Sequence, residues 1–400
     1  MAESSERRIA ITGLGVISPA GNSVGEFWDS LCAGRDVVAP ITRFDASPFR
    51  SQLGGEVEGC APPDDTTSRA TTYALAAIEQ AIADAGIAGD GLDEVGLVLA
   101  TNFGGCEHGE RFLAARLEGE DPDGRWLDAY DFNAATRRGI ERWGIGGPTA
   151  VLSLSCASGV AAIGYATDLI RAGRCERVVA GGYDELARMS FSGLSAIRAM
   201  TPEIIRPFDK NRKGTIFAEG AGVVVVEALD AAHARGAVVH AEVLGHAMNN
   251  DAFHMTAPDK TGRGITAVIQ AALDDAQIAA ADVQHVNAHG TGTQYNDKIE
   301  TAAIKAVFGD HARQLAITAN KSMMGHTCAA AGTLESICTI RTLQSGIVQP
   351  TIHYETPDPE CDLDYVPNQA RHTEVAAALC NAYGIGGTNS AIVLRRYQGD

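Results

Sequence analysis

What the chain lacks narrows its class. Basic residues are outnumbered, with 32 Lys and Arg against 50 Asp and Glu, for a formal charge of −18. A field of that sign disfavours nucleic acid and anionic membrane surfaces as partners. No uninterrupted apolar run approaches the roughly 18–20 residues a membrane span needs, so no membrane association is expected. The nine cysteines (32, 60, 106, 156, 175, 328, 338, 361 and 380) form no CxxC pair and no Cys/His ligand spacing. Their odd number and scatter exclude a disulfide framework, and the missing spacing excludes a zinc module. Reduced thiols in a cytoplasm are expected, mostly buried as small apolar side chains. Arg7-Arg8 ahead of Ile9–Ile17 has the outline of a twin-Arg export signal. That stretch is interrupted by glycine and no small-residue cleavage site follows, so it reads as a first buried strand.

What is present is ordinary globular chemistry: 400 residues, 45% apolar and 20% charged, enough for two or three units. Short Val/Ile runs alternate with Ala-rich stretches. The pattern predicts strands near residues 8–13, 95–100, 150–154, 177–181, 223–227, 239–245, 285–288, 315–319, 376–380 and 390–394. It predicts helices over 72–84, 159–172, 265–276, 300–308 and 329–344. Strands with little polar alternation imply helices on both faces, hence an α/β class with largely parallel sheets. Glu219-Gly-Ala-Gly-Val-Val-Val-Val-Glu227 and Gly386-Gly-Thr-Asn-Ser-Ala-Ile-Val-Leu394 close two halves in the same way. No Ser- or Pro-rich linker separates them. The expected organisation is two related halves, 1–234 and 235–400, in tight apposition.

Four segments could carry chemistry. In Ala150-Val-Leu-Ser-Leu-Ser-Cys156-Ala-Ser-Gly-Val-Ala-Ala162 a strand runs into Cys156 and small residues open a helix. A thiol there is expected to feel the positive helix end, which lowers its pKa. Val286-Asn-Ala-His289-Gly-Thr-Gly-Thr293 ends a strand at a histidine and follows it with a Gly/Thr turn. Asn320-Lys321-Ser-Met-Met-Gly-His326-Thr-Cys-Ala-Ala-Ala-Gly332 places Lys321 and His326 ahead of a small-residue helix that must pack closely. Cys380-Asn-Ala-Tyr-Gly384-Ile-Gly-Gly-Thr388-Asn389 is a glycine loop able to aim N–H groups at an oxyanion. Alone, each has a bland alternative: a packed core cysteine, a satisfied structural histidine, a solvated lysine, a plain turn. Together, a thiol, two histidines, a lysine and an N–H loop suit acyl-thioester chemistry.

These motifs resemble the signature set of β-ketoacyl-acyl carrier protein synthases, nearest to the elongating type II group that includes type II polyketide ketosynthase subunits. Ile9-Ala-Ile-Thr-Gly-Leu-Gly, Pro207-Phe-Asp-Lys-Asn-Arg-Lys-Gly and His254-Met-Thr-Ala-Pro extend the resemblance over nearly the whole chain. It implies the thiolase-like fold, with two pseudo-repeated halves in five alternating α and β layers, normally a dimer. It implies decarboxylative Claisen condensation: an acyl group carried by Cys156, a malonyl thioester decarboxylated with His289 and His326, and a 3-oxoacyl product two carbons longer. By the same resemblance, the N–H groups of Cys156 and Ile385 form the oxyanion hole. Lys321 anchors the histidines with Glu335 as its partner, and Gly384, Gly386 and Asn389 support the loop. Thr291 and Thr293 meet the phosphopantetheine arm of the acyl carrier protein, and Phe103 and Leu194 belong to the acyl pocket. No metal or redox cofactor is implied. The implied partners are the carrier and a second chain, either a copy or a chain-length factor.

Some positions depart from the pattern. Ile385 and Tyr383 stand where phenylalanine is usual. Phe103 stands where smaller aliphatics are usual, so a short or unusual acyl group is expected. Residues 61–75 carry only Arg69 where a basic docking segment is usual, and Arg198 is an alternative docking residue. A degradative thiolase is the first competing reading; it needs a second cysteine near the C-terminal glycine loop, where Cys380 lies, and no Lys-x-x-x-x-His element. A non-catalytic chain-length partner, which typically lacks the nucleophile, and an unrelated cysteine hydrolase are the others.

Overall fold

A computed structural model describes residues 7–87, 89 and 91–399. Among these, ten strands form one hydrogen-bonded sheet: β1 (Ile9–Ile17), β2 (Gly96–Ala100), β3 (Thr149–Leu152), β4 (Arg177–Asp184), β5 (Gly220–Ala228), β6 (Ala241–Asn250), β7 (His285–Asn287), β8 (Ala316–Thr318), β9 (Ala377–Tyr383) and β10 (Thr388–Arg395). Their order is β8-β7-β9-β10-β6-β1-β5-β4-β2-β3. The seam between the halves is antiparallel and joins Ile9–Ile11 of β1 to Ala241–Val243 of β6. Counted outward from that seam, each half presents its first, fifth, fourth, second and third strand. The echo read from the two glycine-led strands is therefore a repeated topology.

The sheet is mixed rather than largely parallel. Five of the nine neighbouring pairs are antiparallel, and four are parallel. A Val/Ile run such as Val223–Val226 signals burial on both faces, and that burial is indifferent to strand direction.

Five helices set the layers: α1 (Arg69–Asp84), α2 (Ser158–Arg171), α3 (Arg263–Ala276), α4 (Asn296–Phe308) and α5 (Ala331–Ser345). Helices α2 and α5 pack on each other and on strands of both halves, forming the middle layer. Outside lie α1 against β1 and β5, and α3 against β6 and β10 with α4 beside it. The result is the expected α, β, α, β, α stack. Small residues bring the middle helices together: a Cβ on Gly159 would stand 2.6 Å from the Thr333 nitrogen, and one on Gly332 2.7 Å from the Val160 nitrogen.

Helices over Val24–Cys32, Cys106–Leu117, Arg125–Tyr130, Ala134–Trp143 and Arg188–Ala196 were not anticipated. In Cys106–Leu117 the apolar period is weak, with many charges and with Leu113 and Leu117 exposed. All nine cysteines are free. Among the described residues no helix is long and apolar enough to cross a membrane.

Candidate active site

The four segments converge where the halves meet. Cys156 follows β3 and immediately precedes α2. Ser155 takes a left-handed φ of 55°, turning the chain sharply at the thiol. Ser158 braces that elbow: its Oγ accepts the Leu154 N–H at 2.8 Å and donates to the Ser155 carbonyl at 2.5 Å. His289 lies two residues beyond β7, and His326 follows the short helix Lys321–Met324 through Gly325 at φ 84°. The Cys156 sulfur and one ring nitrogen of each histidine all lie within 4.8 Å of one another. The imidazoles meet edge to face with centroids 5.4 Å apart. Cys156, His289 and His326 are 7%, 3% and 2% exposed, so the trio is nearly dry.

Burial decides the charge state. It pushes the Cys156 thiol up to about 11, against the opposing pull of Lys321, the Ser155 hydroxyl and the Ile385 N–H. The expected thiol activation is therefore overturned: loss of solvent outweighs the helix end, and the resting group is a thiol. Burial, reinforced by the Lys321 charge, holds both histidines well below the usual imidazole range, so both are neutral. His326 Nδ1 accepts the Cys328 N–H at 3.3 Å, which leaves Nε2 carrying the proton. That Nε2 has no protein partner and can donate to a ligand. The donor set resembles a Cys/His₂ metal centre, yet a protonated Nε2 has no lone pair for a metal.

Lys321 and Glu335 are wholly buried and form an ion pair. Burial pushes the Glu335 carboxyl up to about 7 in spite of Lys321. The glycine loop faces the elbow, with the Ile385 N–H at the Cys156 sulfur and Thr388 Oγ1 donating to the Leu154 carbonyl at 2.8 Å. A Cβ on Gly384 would fall 2.8 Å from that of Ser155, so the approach requires glycine. Gly386 needs its positive φ of 94°, and Asn389 Nδ2 braces the loop through Asn249 at 2.9 Å and Asp251 at 2.8 Å.

A cavity of about 560 Å³ opens onto the trio. Thr291, Thr293, Ile385, Gly384, Gly386 and Asn389 line it with the trio, as do Tyr383 and Phe217. The Thr291 and Thr293 hydroxyls lie 2.9 Å apart. Phe103 and Leu194 do not line it. They pack behind it in an apolar cluster with Leu186, Phe191, Met200, Phe217 and Cys328. Arg69 is not a free docking cation: it donates to the Leu186 carbonyl at 2.8 Å and pairs with Glu107 and the buried Glu219. Arg50, Arg198 and Lys213 instead stand at the cavity rim.

Sequence reasoning missed the buried carboxylates that hold these loops. Glu300 of α4 accepts the His289 and Gly290 N–H groups at 2.8 and 2.9 Å. Asp184, at the end of β4, holds the chain after β2 in the same way. The available signal was charge in an apolar setting: Asp184-Glu185 closing a Val-rich strand, and Glu300 among Ile299, Ala303 and Ile304 on a buried helix face.

A duplicated α/β frame with a thiol, two neutral imidazoles and an N–H loop around a cavity defines an acyl-transferring enzyme. The family models "Beta-ketoacyl synthase, N-terminal domain" and "Beta-ketoacyl synthase, C-terminal domain" match residues 6–232 and 240–355. The chain belongs to the β-ketoacyl synthase family. It is 39% identical to the tetracenomycin polyketide synthase ketoacyl synthase alpha subunit of Streptomyces glaucescens, over 99% of each chain. It is 37% identical to 3-oxoacyl-[acyl-carrier-protein] synthase 2 of Synechocystis sp., over 100% of each. A type II polyketide ketosynthase solved with its acyl-carrier protein superposes with TM-score 0.93 at 32% identity, over 98% of this chain and 100% of that one. The ishigamide ketosynthase/chain length factor gives 0.93 at 35%, with the same coverage. The chain is accordingly a ketosynthase of the 3-oxoacyl synthase type. Its reaction is decarboxylative Claisen condensation of a malonyl-carrier thioester with an enzyme-bound acyl group, in fatty acid or type II polyketide biosynthesis.

Proposed function

We propose that Cys156, His289, His326 and Lys321 carry this reaction, and the convergence of the three reacting groups within 4.8 Å is the observation behind the assignment. The Cys156 sulfur attacks the acyl thioester, and its proton leaves on the departing pantetheine sulfur. The malonyl arm then enters beside Thr291 and Thr293. Its carboxylate carbon–carbon bond breaks, carbon dioxide leaves, and the electron pair becomes an enolate whose oxygen takes N–H donation from the neutral imidazoles. The enolate carbon attacks the acyl-Cys156 carbonyl, and the Cys156 and Ile385 N–H groups receive the oxyanion. Collapse releases the 3-oxoacyl carrier thioester, and the departing Cys156 thiolate takes up one proton from solvent, as the conjugate base of a thiol with a pKa of about 11 readily does. Written this way, the reaction balances without a metal or redox group. The Lys321 charge biases both histidines to the neutral form.

The halves 1–234 and 235–400 divide this work, the first supplying the nucleophile and the second the histidines. Phe103 and Leu194, behind Phe217, are assigned to the far wall of the acyl pocket, and the phenyl ring shortens it. The carrier protein is assigned to the rim carrying Arg50, Arg198 and Lys213, whose charge suits an acidic partner. A second ketosynthase-like chain is assigned to the partly exposed edge strand β3. Cytoplasmic action agrees with nine free thiols. The thiolase reading finds no support in Cys380, which lies wholly buried within β9 against Ser336, outside the cavity lining.

The test is incubation with a series of acyl-carrier thioesters, intact-mass measurement of the Cys156 adduct, and carbon dioxide release on adding malonyl carrier. Adduct and coupled release support the proposal. Hydrolysis to free acid without malonyl consumption would indicate a hydrolase instead.

A further inference from the structure

Asp184 is 0% exposed and makes no ion pair among the described residues, yet its carboxylate accepts four hydrogen bonds. Oδ1 accepts the Thr101 hydroxyl at 2.7 Å and the Asn102 and Phe103 N–H groups at 2.9 Å each. Oδ2 accepts the Ala329 N–H at 2.8 Å. The first three donors belong to the loop that carries Phe103, in the first half of the chain. Thr101 Oγ1 in turn accepts the Gly104 N–H at 2.9 Å and closes that loop. The fourth donor belongs to the turn Cys328–Ala330 in the second half, one residue beyond the N–H that fixes the His326 tautomer. Cys328 holds a left-handed φ of 52°, so this turn depends on its anchors. The backbone there has no slack either, since a Cβ on neighbouring Gly182 would fall 2.1 Å from the Ala329 carbonyl oxygen.

We infer that Asp184 is a positioning residue whose two oxygens tie the acyl-pocket wall at Phe103 to the proton-bearing geometry of His326. It makes no hydrogen bond to Cys156, though its charge helps to raise that thiol; its positioning role runs through the two loops. The inference rests on the condensing reaction proposed above. The two oxygens separate its roles: Oδ1 serves the acyl side and Oδ2 the malonyl side.

Asp184→Asn exploits that separation. The amide oxygen keeps the three donors of the Phe103 loop, while the amide N–H₂ faces the Ala329 N–H, so the malonyl-side anchor is lost together with a charge that raises the Cys156 thiol, a loss that does not hinder loading. Carbon dioxide release from malonyl carrier is expected to fall about 10- to 100-fold, part of the roughly 10²–10⁴-fold that a positioned acid–base group supplies. Loading of Cys156 by hexanoyl carrier, read by intact mass, should stay near wild type. Thr101→Val acts only on the other side, removing the hydroxyl that donates to Oδ1 and accepts the Gly104 N–H. It should shift the ratio of dodecanoyl to hexanoyl loading about five-fold or more toward the longer chain, since two hydrogen bonds of the loop are lost, and leave carbon dioxide release unchanged. A merely structural role would lower both readouts together in either variant, and that result overturns the inference. If Asp184→Asn does not fold, Thr101→Val decides: an unchanged chain-length ratio overturns it. Wild-type enzyme that neither loads Cys156 nor releases carbon dioxide would instead refute the proposed function.

Discussion

The two halves share one strand order and divide the labour unequally. In the first, the third strand is followed four residues on by a thiol, two residues before a middle helix begins. In the second, the corresponding strand ends at Lys321, and His326 follows through an added turn before the middle helix begins. The chain leaving each second strand is gripped by a buried carboxylate that accepts two successive N–H groups. Asp184 grips Asn102 and Phe103, and Glu300 grips His289 and Gly290. The same backbone device thus presents an apolar wall in one half and an imidazole in the other. The outer edges differ too: β3 is partly exposed, whereas β8 is buried. The frame supplies positions, and the side chains at equivalent positions supply distinct chemistry.

The widest separation of the halves should come from Cys156→Ala. Condensation is expected to fall about 10⁴-fold or more, as when a nucleophile is removed from a cooperating set. Decarboxylation of malonyl carrier, which uses only the second half, should persist; comparison of product mass with carbon dioxide release checks both. His326→Ala should give the opposite split, with decarboxylation down about 10²–10⁴-fold and Cys156 acylation retained by intact mass.

Lys321→Ala strips the partner from a buried carboxylate. We expect a loss of about 3–5 kcal/mol in urea unfolding at pH 8. Burial has raised the folded Glu335 pKa to about 7 even with Lys321 present. A group raised in the folded state loses its stabilisation as pH rises through that value, so the deficit should be smaller at pH 6. Gly159→Ala wedges the middle helices apart and should cost about 1–3 kcal/mol, with Cys156 loading and decarboxylation reduced together because the junction of the halves moves. The smallest effect is kinetic. With the thiol raised to about 11, iodoacetamide labelling of Cys156 should rise about ten-fold per pH unit from 7 to 10, without a plateau.

Much of the frame was legible. Every predicted strand overlaps an observed one, because Val/Ile runs such as 177–181 and 223–227 are too short and too apolar for anything else in a chain this size. The site was legible where chemistry demands rare residue patterns: Cys156 before small residues, His289 before Gly-Thr-Gly-Thr, and Lys321 five residues before His326. Strand direction was not legible, since a strand covered on both faces looks alike either way. Nor were Asp184 and Glu300, because a carboxylate that grips backbone N–H groups leaves no spacing rule in the sequence.

By itself the amino-acid sequence determined the α/β class, the repeat, the family and the candidate reacting groups, all of which depend on side-chain type and local period. Tertiary structure alone decided that Cys156 rests as a thiol, that His326 carries its proton on Nε2, and that Phe103 stands behind the cavity rather than on its surface. Those properties depend on how much water is excluded and on which distant N–H group arrives at which atom. Both are set only once the halves close on each other.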